Sequence, residues 1–232
     1  MIEIRQGDAT DLVHDLPDGI DCIITDPPYG IAYWSRQAQT PLGRRFARSH
    51  EGIKGDSNVE GALALFVDVM KPLAAKTTDE CEAYIFTRWD ILDVWVEACR
   101  TVMPEFKYKM LLVWDKGMIG QGDIDGSWGC GHELIMYWKK GRRDINYKRS
   151  AVLYYENVAS IHKIHPMEKP VALLEELIKV STAPGALVVD PFAGSGSTIV
   201  AAQRTGRSGI GLELDPEFVK RSRLRLAEEP MF

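Results

Sequence analysis

At 232 residues, with 45% hydrophobic and 26% charged residues, the chain has the composition of one globular domain large enough to bury a substantial core. It carries no low-complexity stretch, internal repeat or apolar run of membrane-spanning length, and residues 1–5 lack the pattern of a secretory signal, so a cytoplasmic protein is expected. The four cysteines (Cys22, Cys81, Cys99, Cys130) form no C-x-x-C pair, which argues against a zinc site or a disulfide frame.

Taken in chain order, residues 2–5 read as a short strand ending at Gly7-Asp8, and residues 20–25 as a second, buried one. Residues 33–58 lack periodicity and are rich in Arg, Gly and Ser; loops of this length in compact domains are usually functional or mobile. Ser57 or Asn58 can cap a helix whose apolar face is Val59, Leu63, Phe66, Val67 and Met70. A strand over 83–86 follows, then a helical face of Ile91, Leu92, Trp95 and Cys99.

Residues 110–114 and 133–138 are strand-like runs joined by a Gly- and Asp-rich segment, the pattern of an antiparallel hairpin at a sheet edge. Residues 139–165 are basic and irregular. Pro170 suits the first turn of a helix facing inward with Leu173, Leu174, Leu177 and Ile178, and Pro184-Gly185 closes it. A strand at 186–189, a helix from Ser197, a strand at 209–214 and a helix over 216–226 complete the chain. The alternation predicts an α/β fold in one domain, 1–232, with a mostly parallel sheet covered by helices on both faces.

The net charge of −5 is unevenly spread. Residues 33–54 hold Arg36, Arg44, Arg45, Arg48 and Lys54 against Glu51. Residues 139–163 hold seven basic residues, among them Arg142 and Arg143, against Asp144 and Glu156. Two basic loops on an acidic body suit phosphate contacts, although solvated loops of this kind are common.

Two motifs carry the chemistry. Asp190-Pro191-Phe192-Ala193-Gly194-Ser195-Gly196-Ser197 follows a buried strand, and its glycines let backbone approach a ligand at the start of a helix with free amides. Ile199 stands where a dinucleotide fingerprint needs a third small residue, and no lysine follows as in a Walker loop. Glu213 ends the next strand, where an acid accepts hydrogen bonds from a ribose. Together these point to an adenosine cofactor.

The second motif is Asp26-Pro27-Pro28-Tyr29, also at a strand end. An exocyclic amine on a base is a poor nucleophile because its lone pair is delocalised into the ring. Two acceptors aimed at its N–H bonds, the Asp26 carboxylate and the Pro27 carbonyl, draw it toward tetrahedral geometry. Prolines 27 and 28 stiffen the turn so that the acceptors are preorganised. Tyr29 can stack on the base.

These motifs resemble the permuted, β-group amino-methyltransferases of DNA, in which the target-amine motif precedes the cofactor motif. Trp114-Asp115-Lys116 and His132-Glu133 resemble the family's edge hairpin, and His165-Pro166-Met167-Glu168-Lys169-Pro170 its H-P-x-x-K-P segment, with Met-Glu in place of the usual Thr-Gln. The resemblance implies a Rossmann-like methyltransferase fold and S-adenosylmethionine as cofactor, without a metal. Asp8 would contact the adenine, Lys169 the methionine end, and Glu213 the ribose. Asp190, Phe192, Gly194, Ser195, Gly196 and Ser197 would form the cofactor loop. Asp8 also suits a helix cap, with cofactor contact the favoured role; His132 and Glu133 serve equally as strand-edge residues, and the resemblance favours a site role for His165 and Lys169 over a turn.

The implied activity is methylation of adenine N6 in a base flipped from double-stranded DNA, with Tyr29, Trp34, Arg44, Arg45, Arg48, His132, Arg142 and Arg143 facing the nucleic acid. Cytosine N4 is the first alternative; in the family, Asp as the first motif residue leans toward adenine and Ser toward cytosine. RNA or protein-glutamine methylation is disfavoured by motif order. A homodimer is expected, with Trp89, Trp95 and Trp128 as residues that one core does not obviously accommodate, and a cognate restriction endonuclease would be a separate chain.

Overall fold

The computed structural model describes residues 1–30, 58–117, 126, 128–158 and 168–229. Its centre is an eight-stranded sheet: β1 (Ile2–Gln6), β2 (Ile20–Thr25), β3 (Thr77–Thr87), β4 (Lys107–Asp115), β5 (His132–Lys139), β6 (Val152–Tyr154), β7 (Leu187–Asp190) and β8 (Ser208–Glu213). The strand order is β1-β8-β7-β2-β3-β5-β4-β6, and among the described residues β5 alone runs against the others.

Helices cover both faces, as expected. On one side α1 (Ala9–Leu12), α2 (Val59–Ala75) and α3 (Leu92–Val102) bury Phe66, Val69, Met70, Trp95 and Cys99 against Ile23, Ala83 and Ile85. On the other, α4 (Val171–Ser181), α5 (Ser197–Arg204) and α6 (Pro216–Glu228) bury Leu173, Leu177, Ile199 and Val219 against Cys22, Ile24 and Val188. The alternation of Cys22, Ile23 and Ile24 between the two cores is the pleat of a strand buried on both faces, which is why β2 reads as a continuous apolar run.

The topology locates the site. β2 and β7 are neighbours, Cys22 beside Val188 and Ile23 beside Val189. From β7 the chain leaves through α5 to β8, while from β2 it reaches β3 on the opposite side. The connections diverge between these two strands, and such a switch point opens a crevice outside their C-terminal ends. Both motifs lie there.

Several sequence expectations need correction. The buried face of α2 is Ala62, Leu65, Phe66, Val69, Met70 and Leu73; Val59, Leu63 and Val67 pack only partly against the core. The helix is apolar almost all round, so two overlapping faces fit its periodicity. β3 begins at Thr77 rather than residue 83, because its first residues are polar and half exposed and carry no apolar signal. The hairpin of β4 and β5 is present, but the sheet continues past it: β6, from the basic stretch read as irregular, pairs in parallel with β4.

The reversed β5 also moves the second basic stretch. It carries the chain from the site edge at His132 to the far end of the sheet at Lys139. There the Arg142 and Arg143 amides both donate to Glu80, and the Arg143 guanidinium donates to Glu82 at 2.7 Å and to the Ser181 carbonyl at 2.5 Å. Arg142 and Arg143 therefore lie at the opposite end of the sheet from the two motifs, not at the sheet edge expected for them. Arg143 is occupied by a fully buried carboxylate, and among the described residues the segment returns to the site edge at Tyr154, beside Asp115.

Candidate active site

The turn after β2 presents Asp26, Pro27, Pro28 and Tyr29 at the crevice. The Tyr29 hydroxyl donates to Asp26 Oδ1, and its ring is buried, edge-on to Trp95 with centroids 6.1 Å apart. The aromatic read as a stacking platform is thus anchored inward, fixing the carboxylate. The other oxygen, Oδ2, accepts from Lys169 Nζ at the approach to α4. Burial raises the Asp26 pKa; Lys169 pulls it back down and Glu133 adds to the rise.

Lys169 also lies 3.2 Å from Glu133 Oε2 and 5.0 Å from the centroid of the Phe86 ring. Glu133 accepts from Lys116 at 2.5 Å through its other oxygen. Burial opposes charge on Glu133, but the two lysines outweigh it and its pKa is lowered. Burial likewise opposes charge on Lys169, and Asp26 and Glu133 overcome it, raising its pKa. Lys116, Glu133, Lys169 and Asp26 form a chain of alternating charge ending on the motif. The Lys169 contact expected at a cofactor is here made to Asp26. The sequence signal for the rest lay in the hairpin register, which sets Trp114 opposite Glu133 and Asp115 opposite His132. His132 is exposed at this same edge.

Across the crevice, the loop after β7 turns on Gly194 and Gly196, both at positive φ (51° and 73°). A Cβ on Gly196 would lie 2.9 Å from Ser222 Cβ, and Ser222 Oγ donates to the Gly194 carbonyl at 3.0 Å, so α6 braces the loop from behind. Asp190 is buried and serves the loop itself, accepting from the Phe192 amide at 3.1 Å and Thr198 Oγ1 at 2.6 Å. Burial pushes its pKa up to about 6. Ser195 and Ser197 are buried with their hydroxyls 3.0 Å apart, and Arg225 donates to Ser197 at 3.1 Å. Phe192 and Gly194 are the partly open positions.

Glu213, at the end of β8, accepts from the Gly194 amide and the Asp215 amide, each at 2.8 Å, and burial pushes its pKa up to about 7. Asp8 caps α1 through the Thr10 amide at 3.1 Å and its hydroxyl at 2.8 Å. Asp8 and Glu213 flank the glycine loop, since Gly7 N donates to the Glu213 carbonyl at 2.9 Å. Tyr33, Trp34, Arg44, Arg45, Arg48 and His165 lie outside the described residues.

A carboxylate-bearing turn beside a glycine loop, at the switch point of a mostly parallel sheet, is the site geometry of this chain. The chain belongs to the DNA methylase family, the N6/N4 methyltransferases of DNA, and matches it over residues 20–224. It is 33% identical over 229 residues to the YubD protein of Escherichia coli (strain K12), covering 98% of this chain and 91% of that one. It is 26% identical to the DNA adenine methyltransferase YhdJ of the same organism, covering 96% and 82%. Among solved structures, the complex of M1.HpyAVI with SAM superposes with a TM-score of 0.72 at 22% identity, covering 97% and 100%. The cytosine-N4-specific PvuII DNA methyltransferase superposes at 0.73 and 18% identity, covering 99% and 87%.

Proposed function

We propose that the protein is a β-group DNA methyltransferase that transfers a methyl group from S-adenosylmethionine to the N6 amine of adenine in double-stranded DNA. The observation that carries the reading is the placement of Asp26, in the turn after β2, and of the glycine loop after β7 at the ends of neighbouring strands. The residues fit the cofactor: two glycines at positive φ expose loop backbone, and a raised-pKa carboxylate, Glu213, stands at the next strand end. Bound there, S-adenosylmethionine supplies an electrophilic methyl group on a sulfonium.

The target base is flipped into the crevice, because its amine cannot reach a buried methyl donor while stacked. Asp26 and the Pro27 carbonyl accept its two N–H bonds and localise the lone pair for in-line attack. The nitrogen, cationic once methylated, gives its proton to Asp26 or to water. Asp8, Phe192, Gly194 and Glu213 line the cofactor, and His132 with the 33–56 loop faces DNA. The same reading has the protein working in the cytoplasm as a homodimer, with any cognate endonuclease on a separate chain.

Adenine is favoured over cytosine by Asp26 as first motif residue and by the adenine activity in YhdJ's name. Cytosine N4 is the second reading, because both amines need the same acceptor pair and the PvuII enzyme shares the fold. The test is transfer of labelled methyl from S-adenosylmethionine to duplex DNA, followed by nucleoside analysis. N6-methyladenine is expected, and N4-methylcytosine establishes the second reading. Asp26→Ala should lose at least about 100-fold in turnover, as when one preorganised transition-state partner is removed. It should still bind cofactor, and near-normal turnover would overturn the mechanism.

A further inference from the structure

We infer that Glu133, outside both motifs, is a positioning residue that lets Lys169 guard the Asp26 carboxylate in the free enzyme and release it to the target amine. The inference rests on the reading of Asp26 as the amine acceptor.

Both Asp26 oxygens are engaged, one by the Tyr29 hydroxyl and one by the Lys169 ammonium. An ammonium and an exocyclic amine offer the same thing, an N–H donor, so Lys169 stands where a target amine must bind or compete. Its presence solves one problem. A carboxylate this enclosed tends to protonate, and a protonated Asp26 would present a donor to the amine instead of an acceptor. The neighbouring positive charge of Lys169 counters that rise in pKa.

The same pairing creates a second problem, since a buried pair is held strongly and its breaking leaves an isolated charge. Glu133 resolves it. Its Oε2 lies 3.2 Å from the same Nζ, so Lys169 already has a second anion when the amine displaces it from Asp26. Lys116, held on Glu133 Oε1, keeps that anion ionised and in place. The four groups sum to zero charge, and the shift of one ammonium between two carboxylates leaves the sum unchanged. The other charged or titratable groups near Asp26 among the described residues are Tyr29 on its own turn, Asp190 from β7 and Arg88 after β3, which acts through Tyr29.

Glu133→Gln keeps the shape and removes the charge. Lys169 then has Asp26 as its single anion, so KM for DNA should rise several-fold while kcat changes less. Loss of the like charge should also move the acid limb of the kcat/KM–pH profile downward by about one unit. Glu133→Asp restores the anion and should recover the wild-type acid limb, which a packing role would not produce. Melting temperature and cofactor calorimetry check that each variant is folded.

A wild-type profile and KM in Glu133→Gln, or an Asp variant indistinguishable from the Gln variant, would overturn the inference. If Glu133→Gln does not fold, Lys116→Gln decides. Without Lys116, Glu133 is less firmly ionised and held, so KM for DNA rises as in Glu133→Gln; an unchanged or lower KM overturns the inference. Asp26→Ala in the same assay tells the two failures apart, because alanine removes the acceptor altogether. Near-normal turnover there would mean that Asp26 is not the acceptor, whereas a dead Asp26→Ala beside an unperturbed Glu133→Gln removes only the role of Glu133.

Discussion

The Glu213 carboxylate accepts a hydrogen bond from the Gly194 amide at 2.8 Å, joining the end of β8 to the glycine loop of β7 before any ligand is bound. The acid expected to receive a ribose thus already shapes the loop. Its second oxygen takes the Asp215 amide, which also starts α6. One buried side chain therefore couples two strand ends and a helix.

Cofactor binding should be pH-dependent through this residue. Glu213 is raised from an ordinary value of 4.5 to about 7, and Asp190 from 3.8 to about 6, both by burial. Between the unfolded and folded values the native state holds protons that the unfolded chain does not, so these groups make the ligand-free protein less stable as pH rises toward 7. Ribose hydroxyls donating to Glu213 favour its anion. Cofactor affinity should then increase from about pH 6 to pH 8, with up to about one proton released per molecule bound at the lower end. Calorimetry in two buffers of different ionisation enthalpy measures this, and a flat profile would separate Glu213 from the cofactor.

Gly196→Ala should damage the cradle from behind. The residue sits at φ 73°, and an added Cβ meets Ser222 Cβ at 2.9 Å. The left-handed conformation alone costs about 1–2 kcal/mol for an L-residue. The side chain of Ser222 must also shift, disturbing its bond to Gly194. Thermal melting should show the loss, and cofactor affinity should fall with it. Gly185→Ala, also at positive φ but with open space around it, should cost stability without touching affinity.

Arg142 and Arg143 separate surface charge from structure. Arg143→Ala leaves Glu82 fully buried with Lys139 at 3.7 Å as its remaining cation. A loss of about 1–2 kcal/mol is expected, below the range for a completely isolated buried charge. DNA affinity extrapolated to equal folded fraction should be unchanged for both Arg142→Ala and Arg143→Ala. A reduced salt slope in either would return this segment to the DNA-facing surface.

The first basic loop is predicted to behave oppositely. Neutralising Arg44, Arg45 and Arg48 should weaken DNA binding and reduce the slope of log K against log salt by up to about three, near one for each phosphate no longer neutralised. Melting temperature should hardly move. An unchanged slope would make the loop a solvated surface.

The two motifs were legible because each is local: a turn's chemistry is written in consecutive residues. Fold class was legible for a similar reason, since the apolar run of β2 and the helical faces of α3 and α4 are continuous in sequence. What sequence did not disclose depends on distant pairing. Lys169 meets Asp26 only because α4 begins beside the end of β2, and Glu133 joins them only through the direction of β5. The same reversal removed Arg142 and Arg143 from the site edge. β6 was hidden because three residues of an edge strand, two of them exposed, leave no periodic signal. Of the three tryptophans proposed as surplus to one core, Trp95 is fully buried, whereas Trp89 is 68% and Trp128 98% exposed. Apolar character alone did not sort them.

The pairing of β2 with β7 also bears on how the protein is made. The link between Asp21 and the Leu187 amide joins residues 166 positions apart, and β7 lies late in the chain. A ribosome adding about 5–20 residues per second releases β2 well before its later neighbour exists. Until β7 arrives, that apolar strand has an open hydrogen-bonding edge of the kind that templates wrong pairing. Pairings this remote also slow folding. The nascent chain therefore carries the turn after β2 early, and the strand end that completes the crevice beside it arrives late.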